Sequence, residues 1–248
     1  MTRFGGKVAL VTGAGSGIGR ATATRFAADG ATVACLDLQG ADETAAAITD
    51  AGGEARAWTV DVGDADAVTA TVDAVVAGLG GLDIVCNIAG IGHFAWSHEE
   101  TPEWFDRIVR VNLNGTFYVS RAALPHLLST GGVIVNTAST AGLMAQPWSA
   151  AYCASKGGVV MMTRAMAFEY RGKGVRVNAV APGNTNTNII HSFSTLPEGA
   201  NPKEMAKIMT PMGTCEPEEI AATFAYIASD EARFMTGSIV AVDGGITA

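Results

Sequence analysis

The sequence predicts an α/β fold: a seven-stranded parallel sheet with helices between the strands, spanning 1–248 as a single domain. Three observations carry this. Short runs rich in Val, Ile and Leu recur along the chain, each is followed by a Gly, Asp, Asn or Ser cluster, and most lead into a helix-length Ala-rich segment. Continuous apolarity marks strands buried on both faces, and their alternation with helices marks right-handed βαβ units.

The seven strands are read in order from "KVALVTG", "ATVACLD", "ARAWTVDV", "LDIVCNIAG", "GGVIVNTAS", "VRVNAVAPG" and "SIVAVDGG". No internal repeat, low-complexity tract or Pro/Ser-rich linker divides them. One long irregular stretch, 183–214, follows the sixth strand. A connection of that length at the carboxyl end of a strand reads as a binding loop.

Composition narrows the function. Hydrophobic residues make up 48% and charged ones 16%, ample for a large core and against disorder. A net charge of −8 gives no basic footprint for nucleic acid or an anionic membrane. Cys35, Cys86, Cys153 and Cys215 form no C-x-x-C pair, so neither a disulfide framework nor a thiolate zinc site is expected. The first apolar run, Val8 to Val11, is short for a signal peptide, and no stretch approaches the ~18 residues of a membrane span. A cytoplasmic protein is expected.

After the first strand, glycines at 13, 15, 17 and 19 open an Ala-rich helix. Glycine permits a tight turn and close approach of a phosphate, which then meets the free N–H groups and positive end of the helix. The spacing Gly13-x-x-x-Gly17-x-Gly19 departs from strict G-x-G-x-x-G, yet strand, glycine loop and helix together predict a diphosphate cradle including Ser16 and Ile18.

The second strand ends at Asp37, 20 residues past Gly17, where an acid accepts hydrogen bonds from adenosine ribose hydroxyls and repels a 2′-phosphate. No Arg or Lys follows it closely and position 16 is Ser, so NAD(H) is expected over NADP(H). Asp61, with Val62 after the third strand, is read either as an adenine contact or as a cap for the helix beginning near Asp64.

Tyr152 and Lys156 stand four residues apart in "SAAYCASKGG", which on a helix stacks phenol and ammonium on one face. A free tyrosine, with a pKa of about 10, is a poor base at neutral pH; a nearby ammonium favours the phenolate.

Together, Thr12-Gly13-x-x-x-Gly17-x-Gly19, Asn87-Ile88-Ala89-Gly90, Asn112, Ser139, Tyr152-x-x-x-Lys156 and Pro182-Gly183 closely resemble the short-chain dehydrogenase/reductase family, over essentially the whole chain. The resemblance implies a Rossmann-type doubly wound sheet and a catalytic tetrad of Asn112, Ser139, Tyr152 and Lys156. It implies that Tyr152 takes the alcohol proton while hydride leaves for the nicotinamide, that Lys156 also holds the nicotinamide ribose, and that Asn112 bends its helix and holds a proton-relaying water. Ser139, 13 residues before Tyr152, would orient the substrate oxygen. The resemblance further places Asn87, Ala89 and Gly90 along the cofactor, and Pro182, Gly183, Thr185 and Thr187 at its nicotinamide end. Ile88 stands where many members carry a second Asn, which puts local hydrogen bonding in question.

Other chemistries are poorly signalled. No serine lies in G-x-S-x-G, and His93 and His98, five apart, make no metal motif, so no metal site is expected. Alternatives are a non-catalytic NAD-binding redox sensor and a 3-oxoacyl-thioester reductase, the latter disfavoured by Asp37. For the substrate pocket the candidates are His93, Gln146, Trp148 and Met205, among neighbours Phe94, Trp96, Leu143, Met144, Ile208 and Met209. That set suggests a medium-sized, apolar or cyclic secondary alcohol or its ketone. The run "VVMMTRAMAF" after Tyr152 is apolar nearly all round, and with the resemblance it implies a homotetramer.

Overall fold

The computed structural model describes residues 2–248. Its strands are β1 (Val8–Thr12), β2 (Thr32–Asp37), β3 (Glu54–Thr59), β4 (Ile84–Asn87), β5 (Val133–Thr137), β6 (Arg176–Pro182) and β7 (Ile239–Val242). All are parallel, in the order β3-β2-β1-β4-β5-β6-β7. Leu10 of β1 faces Ala34 on one side and Val85 on the other. The chain therefore winds outward to β3, crosses back and winds out the other way from β4. Connections that leave β1 and β4 in opposite directions open a crevice above their carboxyl ends, where α/β sheets take ligands.

The alternation of side chains along the strands builds one core on each face of the sheet. Val11, Val33, Cys35 and Cys86 pack under α1 (Gly17–Ala28), α2 (Ala41–Asp50) and α8 (Pro217–Ala228), with Phe26 and Phe224 fully buried among them. Leu10, Leu36, Val85 and Ile134 pack on the opposite face under α3 (Ala65–Leu79), α5 (Gly115–Thr130) and α6 (Ala150–Tyr170). Burial on both faces holds for β1, β4 and β5 but not for the edge strands. In β3, Glu54, Arg56 and Thr59 are exposed, and β7 is only half covered. An edge strand lacks one neighbour, so its outer surface stays wet.

Several helices announce their starts. Asp64 accepts the N–H groups of Asp66 and Ala67, both at 3.0 Å, to cap α3. Thr101 caps α4 (Pro102–Val109), and Glu216 and Glu219 form a reciprocal box at α8. Between α4 and α5 the chain makes a π-helical turn, Arg110–Asn114, which widens the helix around the buried Asn112.

The 183–214 stretch is more ordered than its sequence suggests. It holds α7 (Ile189–Ser192) and a 3₁₀ segment, Pro202–Ile208, started by Asn201, whose side chain accepts from Lys203 N–H at 3.1 Å. Its base is fixed where Cys215 N–H donates to Asn184 and Asn186 N–H donates to Cys215.

Candidate active site

A cleft of about 670 Å³ lies along the carboxyl ends of β1, β4, β5 and β6, under the 183–214 segment. At one end it is walled by Gly13, Ser16, Gly17, Ile18 and Gly19. Two positions of this loop tolerate nothing larger than glycine: a Cβ at Gly15 would lie 1.9 Å from the Gln39 carbonyl oxygen, and one at Gly19 1.9 Å from that of Gly13. Gly17 holds φ at +50°, a conformation that favours glycine. Unlike α3, α4 and α8, α1 begins with no side-chain cap; the Ser16 hydroxyl makes no bond to the first turn, and no acid sits there. The first-turn N–H groups thus face the cleft uncapped, as an anionic diphosphate requires.

Asp37 lines the same cleft. Its Oδ2 accepts from Gly15 N–H at 2.9 Å, and its Oδ1 from Leu38 and Gln39 N–H at 2.7 and 3.3 Å. The carboxylate is aimed by these backbone N–H groups, with lone pairs left for a diol. Asp61 does not cap α3, since Asp64 does; it accepts from Gly63 N–H at 2.8 Å and from Arg110 at 2.9 Å. Although desolvation works the other way, these two bonds leave its pKa below the ordinary carboxylate value. Asp61 and Val62 both reach the cleft wall.

At the other end, α6 carries Tyr152 and Lys156 into the cleft, and Ser139 comes from the turn after β5. That turn packs so closely on α6 that a Cβ at Gly142 would lie 2.7 Å from the Lys156 carbonyl oxygen. Ser139 accepts from Ala141 N–H at 3.1 Å and lines the cleft beside Tyr152. Lys156 Nζ is buried, donates to the Thr137 carbonyl at 2.8 Å, and stands 5.9 Å from the centre of the Tyr152 ring. Burial pushes the phenol up to about 12, against the lowering influence of the Ser139 hydroxyl, and pushes Lys156 down to about 8. In the protein alone, desolvation therefore wins over the stabilisation of phenolate that the Tyr-x-x-x-Lys spacing suggests.

Asn112 lies behind this pair rather than on the cleft wall. Its Oδ1 accepts from Ile91 N–H at 2.8 Å, and its Nδ2 donates to the Ile91 carbonyl at 2.9 Å and to Ser155 Oγ at 3.0 Å. The π turn is thereby tied to α6 one residue before Lys156. A Cβ at Gly90 would come 3.2 Å from Asn112 Oδ1 and 3.5 Å from Lys156 Nζ, so Gly90 keeps that approach open.

Most of the other expected residues reach the cleft: Ala89, Pro182, Gly183, Thr185 and Thr187 among them, with Gln146 and Met205 at the substrate end. Asn87 does not. It points into the sheet, where Nδ2 donates to Ser120 Oγ at 3.0 Å and to Asn136 Oδ1 at 2.9 Å. The position of Ile88 is secured through the backbone, because Thr12 Oγ1 accepts from both Ile88 and Ala89 N–H. His93 is turned away from the cleft onto Glu100, 3.0 Å distant, and Trp148 packs behind Phe94 with ring centroids 5.9 Å apart. Residues that sequence reasoning passed over include Ser155, Thr137 and above all Phe193, whose ring meets that of Tyr152 at 5.2 Å between centroids. Phe193 sits in a stretch with no strong pattern, and only its aromatic type in a ligand-side loop marks it.

A family model described as enoyl-(acyl carrier protein) reductase matches residues 13–247. The chain is 43% identical to meso-2,3-butanediol dehydrogenase of Serratia marcescens, over 99% of this chain and 96% of that protein. It is 42% identical to 3beta-hydroxysteroid dehydrogenase 1 of Eggerthella lenta, over 98% of this chain and 94% of that one. Among solved structures, a short chain dehydrogenase from Mycobacterium paratuberculosis bound to NAD superposes with a TM-score of 0.93 at 34% identity, covering 99% of both chains.

Proposed function

This chain belongs to the short-chain dehydrogenase/reductase family, and from that premise we propose that it is an NAD(H)-dependent oxidoreductase interconverting a secondary alcohol and its ketone. The observation that carries this reading is that Ser139, Tyr152 and Lys156 share one cleft with an uncapped, glycine-lined helix start. The chain acts as one dinucleotide-binding domain, with 183–214 as its substrate-facing segment; every strand lies in one sheet.

Gly13 to Gly19 hold the diphosphate, and Asp37 takes the adenosine ribose while disfavouring a 2′-phosphate. Asp61 and Val62 flank the adenine, Ala89 and Gly90 the middle of the cofactor, and Pro182, Gly183, Thr185 and Thr187 its nicotinamide end. Bound NAD supplies the hydride acceptor and, when reduced, the donor. Tyr152 removes the hydroxyl proton in oxidation and returns it in reduction. Ser139 orients the substrate oxygen, which suits a carbinol or carbonyl rather than a carbon–carbon double bond. Lys156 favours the phenolate and holds the nicotinamide ribose, and Asn112 fixes the geometry behind it.

The two curated relatives named above are, by name, dehydrogenases of a small diol and of a steroid; both are secondary alcohols. The acid at Asp37 argues against a thioester reductase drawing on NADPH. We also infer a cytoplasmic homotetramer. Trp104 and Phe105 of α4, Phe117 of α5, and Met161 and Phe168 of α6 are all at least 40% exposed, an apolar face that further copies would cover.

The test is absorbance at 340 nm with NAD and NADP over linear, cyclic and aromatic secondary alcohols. NAD-dependent turnover that vanishes in Tyr152→Phe supports the proposal. Tight NADH binding without turnover of any alcohol or ketone sinks it. Sedimentation as a monomer at micromolar concentration would sink the tetramer.

A further inference from the structure

Phe193, the residue after α7, folds back over the substrate end of the cleft and touches the ring of Tyr152. The fit depends on a missing side chain. A Cβ at Gly92 would lie 2.5 Å from Phe193 Cζ and 2.8 Å from Tyr152 Cδ2, so only glycine there lets the two rings meet. Gly92 is not in the left-handed region; what it supplies is space.

The ring is held from behind as well. Phe193 meets Phe94 edge to face at 4.9 Å, Phe94 meets Trp148 at 5.9 Å, and Trp148 meets Trp96 at 5.9 Å. Trp96 Nε1 then donates to the Glu198 carbonyl at 2.9 Å, five residues beyond Phe193 on the same segment. Trp148 adopts φ +56°, a strained value for a bulky residue, while its carbonyl accepts from Ala95 N–H at 2.8 Å. Edge-to-face aromatic contacts favour a fixed geometry. The segment is thus latched at both ends of an aromatic row, and Phe193 is a fixed wall of the cleft beside the phenol.

We propose that Phe193 is a specificity-determining residue: its ring, seated against Tyr152 in the space that Gly92 leaves, admits only a compact substituent beside the reacting carbon. This rests on the secondary-alcohol reading above and names its substrate class. A small secondary alcohol with methyl- or ethyl-sized arms fits; an aryl or fused-ring arm meets the Phe193 edge.

The experiment compares kcat/KM for 2-butanol, cyclohexanol and 1-phenylethanol in the wild type, Phe193→Ala, Phe193→Trp and Trp96→Phe, with melting curves to confirm folding. The ratio for 1-phenylethanol over 2-butanol should rise about tenfold or more in Phe193→Ala and fall in Phe193→Trp, as expected for a pocket wall that changes by several carbons. Trp96→Phe, which removes the bond to Glu198, should move the ratio the same way as the alanine variant, by less. A ratio in Phe193→Ala within about twofold of the wild type, with turnover intact, overturns the proposal and leaves the secondary-alcohol reading standing. A folded wild type that turns over none of the alcohols overturns both.

Discussion

The Lys156 ammonium gives its hydrogen bond to the Thr137 carbonyl, 2.8 Å away, and lies 5.9 Å from the centre of the Tyr152 ring. One helical turn separates the two side chains, and β5 supplies the oxygen that fixes the lysine. The pair is therefore set by packing between α6 and the sheet, before any ligand is considered.

Removing the phenolic oxygen should stop the chemistry while leaving the cleft intact. Tyr152→Phe should lower turnover by about 10²- to 10⁴-fold, the usual contribution of a positioned acid–base group. Binding of NADH, followed by fluorescence titration, should change little.

The phenol pushed up to about 12 must ionise before it accepts a proton, so alcohol oxidation should climb with pH through the alkaline range. Ketone reduction needs the protonated phenol and should fall over the same interval. Initial rates in both directions against pH check this, and a flat profile for oxidation would count against Tyr152 as the base.

Burial of Lys156 also affects stability. Its pKa drops from 10.5 in the ordinary state to about 8 in the fold, so between those values the unfolded chain binds more protons. Unfolding free energy from this group should then rise from pH 8 to 10.5 and be lowest below pH 8. Tyr152 acts oppositely: with 10.0 rising to about 12, its contribution is full below pH 10 and lost towards 12. Lys156→Met should be more stable than the wild type at pH 7, on the order of 1–3 kcal/mol after the lost bond to Thr137, and nearly inactive. Urea melts at pH 7 and pH 10 should show that advantage shrinking at the higher value.

Asp37→Ala should weaken NADH binding by tenfold or more on the scale of about 1.5–3 kcal/mol for a hydrogen bond to a charged group, and narrow the preference over NADPH. Parallel titrations with the two reduced cofactors measure it. Equal loss for both would mean that Asp37 serves the loop, through its bonds to Gly15, Leu38 and Gln39, rather than the ribose.

Glycines provide an internal control. Gly19→Ala would drive a methyl to 1.9 Å from the Gly13 carbonyl and should abolish cofactor binding. Gly81→Ala meets nothing within 4 Å and, at a φ open to alanine, should leave stability unchanged or raise it by about 0.4–1 kcal/mol. Thermal melts with and without NADH separate the two.

Much of this was legible before folding. The buried strands announce themselves by unbroken apolar runs, and the glycine loop by a spacing that only close backbone approach explains. What the linear order hides is direction. Asn87 ends β4 next to cleft residues, yet its side chain enters the sheet to meet Ser120 and Asn136. His93 and Phe94 are neighbours, but Phe94 faces the cleft while His93 faces Glu100. Phe193 was invisible as a site residue because its place depends on Gly92, 101 positions away. Edge strand β3 was misjudged for a related reason: a run of residues does not say how many neighbours its strand will have.

The strand order also sets a timetable. β1, at the amino end, pairs with β2 soon after it is made, but its other neighbour, β4, lies some seventy residues downstream. During synthesis the β3-β2-β1 half can assemble with α1 and α2 while the open side of β1 waits for its partner. Parallel pairings over such separations are slow to close, and an unpaired central strand invites association between nascent chains. The contact that ends the wait is already visible: Asp83 accepts from Val8 N–H at 2.9 Å and from Lys7 at 3.0 Å, so the residue leading into β4 docks on the start of β1. Weakening it by Asp83→Asn should slow refolding and increase aggregation at a given chain concentration more than it shortens the life of the finished enzyme.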